Sequence, residues 1–172
     1  MVRPTSRDDA SALGALYDRL SDADLYHRFF SVTHPGERFL ASWCDVGARG
    51  GWGLLAEVHD PRHPTERQVV AEAGYVPDLG GEAELAICVD PHWRGWLGPF
   101  LLDAVLRAAA DRGVDHVWAD VLRENRPMVA LARARGAEVV AQADPTEVRL
   151  RIPTGTRRRP VRRPRPERRD RR

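Results

Sequence analysis

The chain has 172 residues, 42% of them hydrophobic and 30% charged, a size and balance that fit one soluble globular domain and exclude wholesale disorder. No apolar run nears the roughly 20 residues of a membrane helix, the opening MVRPTSRDDASAL lacks the apolar core of a secretory signal, and Cys44 and Cys88 are too few for a disulfide framework or a cysteine-built zinc site; a cytoplasmic protein is expected, with neither membrane nor metal partners. All 27 basic residues are arginine: ten lie in residues 157–172 against Glu167 and Asp170, which leaves seventeen against twenty-three acids elsewhere, so the body lacks the basic bias of a nucleic-acid-binding domain.

Asp8 or Asp9 can cap a helix that begins near Ala10 and sets Leu13, Leu16, Tyr17 and Leu20 on one face. Ser21-Asp22 starts a second helix, SDADLYHRFF, and a third is predicted over Glu37–Cys44. The period then changes. Residues 51–58, 67–76 and 82–89 read as successive strands joined by loops rich in Pro, Gly and Asp, with HDPRHPTER irregular and exposed. A long helix is predicted from Pro99, with Leu101, Ala104, Val105 and Ala108 at helical spacing and a stop at Arg112-Gly113. Residues 115–122 form a strand, Arg126 to Arg135 a short helix closed by Gly136, and AEVVAQ and TEVRLRI a final strand pair. The expected architecture is α/β (α+β): a mixed, mostly antiparallel sheet flanked by helices over residues 1–152. Residues 153–172 hold almost no apolar side chains to bury and are expected to be disordered.

The chemistry concentrates between residues 82 and 136. A strand ends at Val89-Asp90, and PHWRGWLG leads into the long helix. A strand–glycine loop–helix junction aims free backbone N–H groups and the positive helix end at whatever lies above it, and phosphate or pyrophosphate suits such a place. Two glycines in a turn are also found in turns that bind nothing.

The segment AELAICVDPHWRGWLGPFLLDAVLRAAADRGVDHVWADVLRENRPMVALARARGAEVV resembles the GNAT superfamily of N-acetyltransferases, whose strand is followed by a loop of the form (Gln/Arg)-x-x-Gly-x-(Gly/Ala), a helix, a strand and a second helix that begins near an Asn. Trp93-Arg94-Gly95-Trp96-Leu97-Gly98 stands in the loop, one residue short of the pattern if Gly98 is matched to the last glycine. The opening VRPTSRDDASALGALYDRLSDADLYHRFF is similar to GNAT domains of bacterial protein-lysine acetyltransferases. The resemblance spans residues 2–152. It implies an acetyltransferase that uses acetyl-CoA as co-substrate and passes the acetyl group directly to a primary amine, on a protein lysine or a small molecule. It assigns Glu84 as the base, the backbone of Ile87 and Val89 to the pantetheine arm and carbonyl, and Arg94, Gly95, Trp96 and Gly98 to the pyrophosphate turn. Where many members carry a tyrosine that protonates the departing thiolate, this chain has Ala132.

The residues also admit plainer readings. Glu84 and its same-face neighbour Glu82 can be solvated carboxylates at a strand start. Asn125 can cap the helix at Arg126-Pro127, bond the cofactor arm, or do both. Pro61 and Pro64 forbid the helix that would align His59 with His63 on a metal. His92 reads as a surface loop side chain, Cys88 as a buried small hydrophobe, and Trp43, Trp52 and Trp118 as core or groove residues. The alternative function is a GNAT-fold binding or regulatory module without catalysis. The arginine tail suggests unspecific, salt-sensitive contact with a polyanion.

Overall fold

The computed structural model describes residues 1–60, 63–78, 82–140 and 144–155. The strands are β1 (Val2–Pro4), β2 (Trp52–Asp60), β3 (His63–Pro77), β4 (Ala83–Val89), β5 (His116–Leu122), β6 (Glu138–Val140) and β7 (Glu147–Pro153). The helices are α1 (Ala10–Tyr17), α2 (Asp22–Phe29), α3 (Glu37–Cys44), α4 (Leu97–Asp111) and α5 (Arg126–Arg133). The strands form one sheet in the order β1-β2-β3-β4-β5-β7-β6. Every neighbouring pair is antiparallel except β4 with β5. The connection between those two runs through α4, as a parallel pair requires.

The sheet has a core on each face, and strand alternation divides them. On one face Leu54, Ala73, Leu85, Val117 and Leu150 pack with Leu101 and Val105 of α4. On the other, Leu55, Val69 and Cys88 pack with Leu13, Leu16 and Tyr17 of α1 and with Trp43 of α3. Along β4, residues 83, 85, 87 and 89 therefore face α4, whereas 84, 86 and 88 face the first three helices.

Local chemistry explains the boundaries. Ser21 caps α2 by accepting the Asp24 N–H at 3.2 Å. Phe30 ends that helix with φ 55°, a left-handed conformation that glycine usually supplies. α4 begins at Leu97, two residues before the predicted start. Pro99 occupies the third helical position, where its missing N–H would lack an intrahelical acceptor anyway. The stretch HDPRHPTER was expected to be irregular, but β2 and β3 keep pairing into it and absorb the misfit as register shifts at Ala56/Glu57 and His59/Asp60. The three-residue β1 was not predicted; it is too short to show a period. β7 ends at Pro153, and the buried Thr154 donates its hydroxyl to the carbonyls of Val114 and Asp115. Of the segment 153–172 expected to be disordered, Pro153 closes β7 and Thr154 is buried through these bonds, so the ordered chain runs past the expected boundary; residues 156–172 lie outside the described residues.

Gly53 and Gly74 face each other across β2 and β3. A methyl group on Gly74 would sit 2.5 Å from the Trp52 carbonyl oxygen and 2.9 Å from Gly53 Cα, both backbone atoms that cannot yield. Gly74→Ala is expected to lower the free energy of unfolding by about 1–3 kcal/mol, read from the urea midpoint at neutral pH; an unchanged midpoint would show that the two strands can separate locally.

Candidate active site

β4 and β5 are parallel neighbours at Ala83↔Val117 and Glu84↔Trp118 only. Beyond Glu84 they part: β4 runs on to Val89 with β3 as its partner, and β5 to Leu122 with β7 as its partner. The gap opens into a cleft of about 650 Å³. Gly98 and Pro99 of α4 with Met128 and Leu131 of α5 line one side, and Asp24, His27, Arg28 and Phe29 of α2, with Phe30 and Phe39, line the other.

The backbone of β4 can be oriented from its bonds. The Asp90 N–H donates to the Val70 carbonyl at 2.9 Å, and the register that pairs Val89 with Ala71 sets Asp90 opposite Val70. Polar groups alternate sides along an antiparallel strand, so those of Ile87 and Val89 turn away from β3 toward the gap. The Val89 carbonyl does so: it accepts a bond from Arg94 Nε at 3.2 Å.

The turn after β4 is organised by Asp90, whose carboxylate accepts the His92 N–H at 3.0 Å and lies 3.0 Å from His92 Nδ1. That fixes His92 outside the cleft. Gly95 then takes φ 95°, which a side chain would resist. The first amides of α4 follow, with Leu97 and Gly98 N–H unclaimed by the helix itself. Arg94 crosses to α2, where Nη2 donates to Asp24 Oδ1 at 2.5 Å. Burial would raise the Asp24 pKa, but hydrogen bonds from Arg94 and Ser21 outweigh it and hold the carboxyl below its ordinary value.

Glu84, Ile87, Val89, Arg94, Gly95, Gly98 and Asn125 thus line one cleft. Trp96 does not. It is 62% exposed and packs edge-on against Trp93, ring centroids 6.4 Å apart, so its indole leaves the turn open. Asn125 Oδ1 accepts the Met128 N–H at 3.3 Å, so it caps α5 while it faces the cleft. Glu82 and Glu84 separate by environment: Glu82 is bound to Arg151 at 2.9 Å outside the cleft, whereas no hydrogen bond among the described residues engages the Glu84 carboxylate. Ala132 is fully buried in the core, and among the described residues no tyrosine lines the cleft. No group of three His, Cys, Asp or Glu side chains with metal-site geometry occurs among the described residues.

The helical wall rests on a buried ion pair that sequence patterns did not reveal. Glu72 of β3 is 0% exposed, and its Oε1 accepts Arg28 Nε at 2.7 Å and the Tyr17 hydroxyl at 3.2 Å. The Arg28 guanidinium lies 4.7 Å from the centroid of the Phe29 ring and 5.2 Å from that of Trp43. Burial favours loss of the Arg28 proton, but the Glu72 charge more than offsets it and raises the pKa. Cys88, beside this pair, also lines the cleft. Burial pushes its thiol up to about 12, so it is a thiol at neutral pH and a poor nucleophile. The residues missed from the sequence are Asp24, His27, Arg28, Phe30, Asp120 and Glu124. Spread over one helix and its C-cap, a strand and a turn, they showed only ordinary local spacing. The usable signal was Glu72, an acid inside the apolar run VVAEAGYV.

The acetyltransferase (GNAT) family model matches residues 15–137. The chain belongs to that family, and it is an N-acetyltransferase by class. The GNAT domain of S. lividans PAT superposes with a TM-score of 0.76 at 25% identity, over 88% of this chain and 89% of that one. The ribosomal-protein-alanine N-acetyltransferase of Brucella melitensis gives 0.68 at 24% identity, over 89% and 98%. A phosphinothricin acetyltransferase from Sinorhizobium meliloti, solved in complex with AcCoA, gives 0.70 at 18% identity, over 89% and 87%; at these lower identities the likeness is one of fold. No helix among the described residues is long and apolar enough to cross a membrane.

Arg28→Ala would strand the Glu72 carboxylate in the core and is expected to cost about 3–5 kcal/mol of unfolding free energy. Glu72→Gln, which keeps an acceptor for both partners, should cost less. Urea unfolding of the two variants checks the order.

Proposed function

We propose that the protein transfers an acetyl group from acetyl-CoA to a primary amine, with a protein lysine side chain as the acceptor class. The observation that carries this reading is the parting of β4 from β5 with Glu84 at the fork. It leaves a strand edge, a glycine turn with an arginine, and a carboxylate along a single cleft. An extended pantetheine arm would pair with the backbone of Ile87 and Val89 as an added strand does. The diphosphate would meet Gly95, the amides of Leu97 and Gly98, and Arg94. Pro99 contributes no N–H, so this turn offers fewer donors than a proline-free one. Asn125 has its amide nitrogen left for the arm while its oxygen caps α5.

Charge and shape support this acceptor class. Of the acids lining the cleft, Asp24 is matched by Arg94 and Asp120 by Arg149, at 2.7–2.8 Å. Arg28 is matched by Glu72. Glu84 and Glu124 remain in excess, Glu124 with His27 3.6 Å away. Exposed ring surface of Phe39 and the half-buried Phe30 stand on the same side. A cation on an apolar stem fits that combination, and a lysine side chain is one.

In the reaction the thioester carbonyl receives the amine nitrogen, the C–N bond forms, and the C–S bond breaks to release the coenzyme A thiolate. Glu84 accepts the amine proton, directly or through one water. Backbone N–H groups of β4 steady the oxyanion. Water supplies the proton to the thiolate, since no tyrosine is at hand. Cys88, whose thiol burial pushes up to about 12, is a poor nucleophile, which supports direct transfer over an acyl-enzyme on that sulfur.

Glu84→Gln should reduce kcat by about 10²–10⁴-fold with coenzyme A affinity retained, as read by steady-state assay on a lysine peptide and by calorimetry. Equal rates would remove Glu84 as the base. Absence of heat at millimolar coenzyme A would favour the non-catalytic binding module instead. The arginines of residues 157–172 support unspecific polyanion contact: a chain ending at Gly155 should lose salt-sensitive retention on heparin, and equal elution of both forms would exclude the tail.

A further inference from the structure

The turn expected to take the diphosphate has one arginine, and that arginine is already engaged. Arg94 Nε bonds the Val89 carbonyl and Nη2 bonds Asp24. Asp24 is held in place in turn. It lies in the first turn of α2, where the helix dipole favours a carboxylate, and its Oδ2 accepts the Ser21 hydroxyl at 2.7 Å. Its side chain is 11% exposed, whereas that of Arg94 is 50% exposed. The acid is therefore the fixed partner and the guanidinium the movable one. Both line the same cleft.

We infer that Asp24 is a positioning residue that competes with the diphosphate for Arg94, so that cofactor binding replaces a carboxylate partner by a phosphate one and is weakened by the exchange. This rests on the acetyl-CoA reading above. A diphosphate brought to Gly95 and Gly98 meets a guanidinium whose charge Asp24 neutralises, and it also meets the Asp24 charge itself. Bidentate phosphate recognition by arginine is strong enough to win the exchange, but the carboxylate must be left behind, largely buried, with Ser21 as its remaining partner among the described residues. Removal of the carboxylate charge at Asp24 abolishes both penalties.

The test uses the full chain and three probes: coenzyme A, ADP, and pantetheine, which has the arm without the nucleotide. Asp24→Asn should lower the dissociation constants of coenzyme A and ADP by roughly five- to twentyfold and leave that of pantetheine unchanged. The tightening should be smaller in the Arg94→Ala background, where the competition is gone and only the direct repulsion by the Asp24 charge remains. Asp24→Ser serves as a second variant, and urea midpoints confirm that each is folded. Unchanged or weaker binding of coenzyme A and ADP by Asp24→Asn, or equal tightening of pantetheine, would overturn the inference while wild-type binding of coenzyme A preserves the function. If neither wild type nor variant binds coenzyme A, both fall.

Discussion

β4 and β5 share two register pairs and then separate. Separation leaves backbone donors and acceptors on two strand edges without the partners a continuous sheet would provide, and unpaired backbone groups are costly unless water, a side chain or a ligand takes them. Arg94 takes one of them, the Val89 carbonyl. The remainder of the fork is arranged around what the gap admits. α4 and α5 reach the sheet with their N-terminal ends at its mouth, and α2 stands opposite them. Had the strands stayed paired through Val89, the same helices would flank a closed sheet with no room between them.

The opposite wall holds its position at some energetic risk. A carboxylate and a guanidinium removed from water lose hydration that their attraction only partly restores. Glu72 and Arg28 meet in spite of this, joined by the Tyr17 hydroxyl and flanked by the Phe29 and Trp43 rings. The arrangement ties α1, α2 and β3 at one point, since each contributes one member. It also holds Arg28 and Phe29 at the edge of the cleft. The second Glu72 oxygen and one Arg28 nitrogen have no hydrogen-bond partner among the described residues, which argues that this pair serves positional definition more than stability.

Much of the fold could be read from the sequence because its elements carry strong periods. The alternation in AELAICV gave β4 and the parity of Glu84, and the spacing of Leu101, Val105 and Ala108 gave α4. What failed was local: Pro99 looked like a helix start and proved to be the third helical residue, and β1 is too short to repeat. Of the site, the segment from Glu84 to Asn125 was legible because it is nearly contiguous and matches a family order. The Trp96 ring could not be oriented from sequence; its exposure depends on Trp93 and on the conformation of Gly95. The α2 side was hidden for a different reason. Asp24 and Arg94 are 70 positions apart, and Arg28 and Glu72 are 44 apart. No period within one element reports a partner at that distance.

Side-chain alternation on β4 has a further implication for how such a protein can diversify. Odd positions from 83 to 89 look toward α4, and even positions look toward the three opening helices. Neighbouring codons of one short strand therefore answer to different layers of packing, the odd ones to α4 and the even ones to the opening helices. Selection can reshape the wall beside the opening helices at every second residue while the side chains packed on α4, and the course of the backbone itself, are inherited intact.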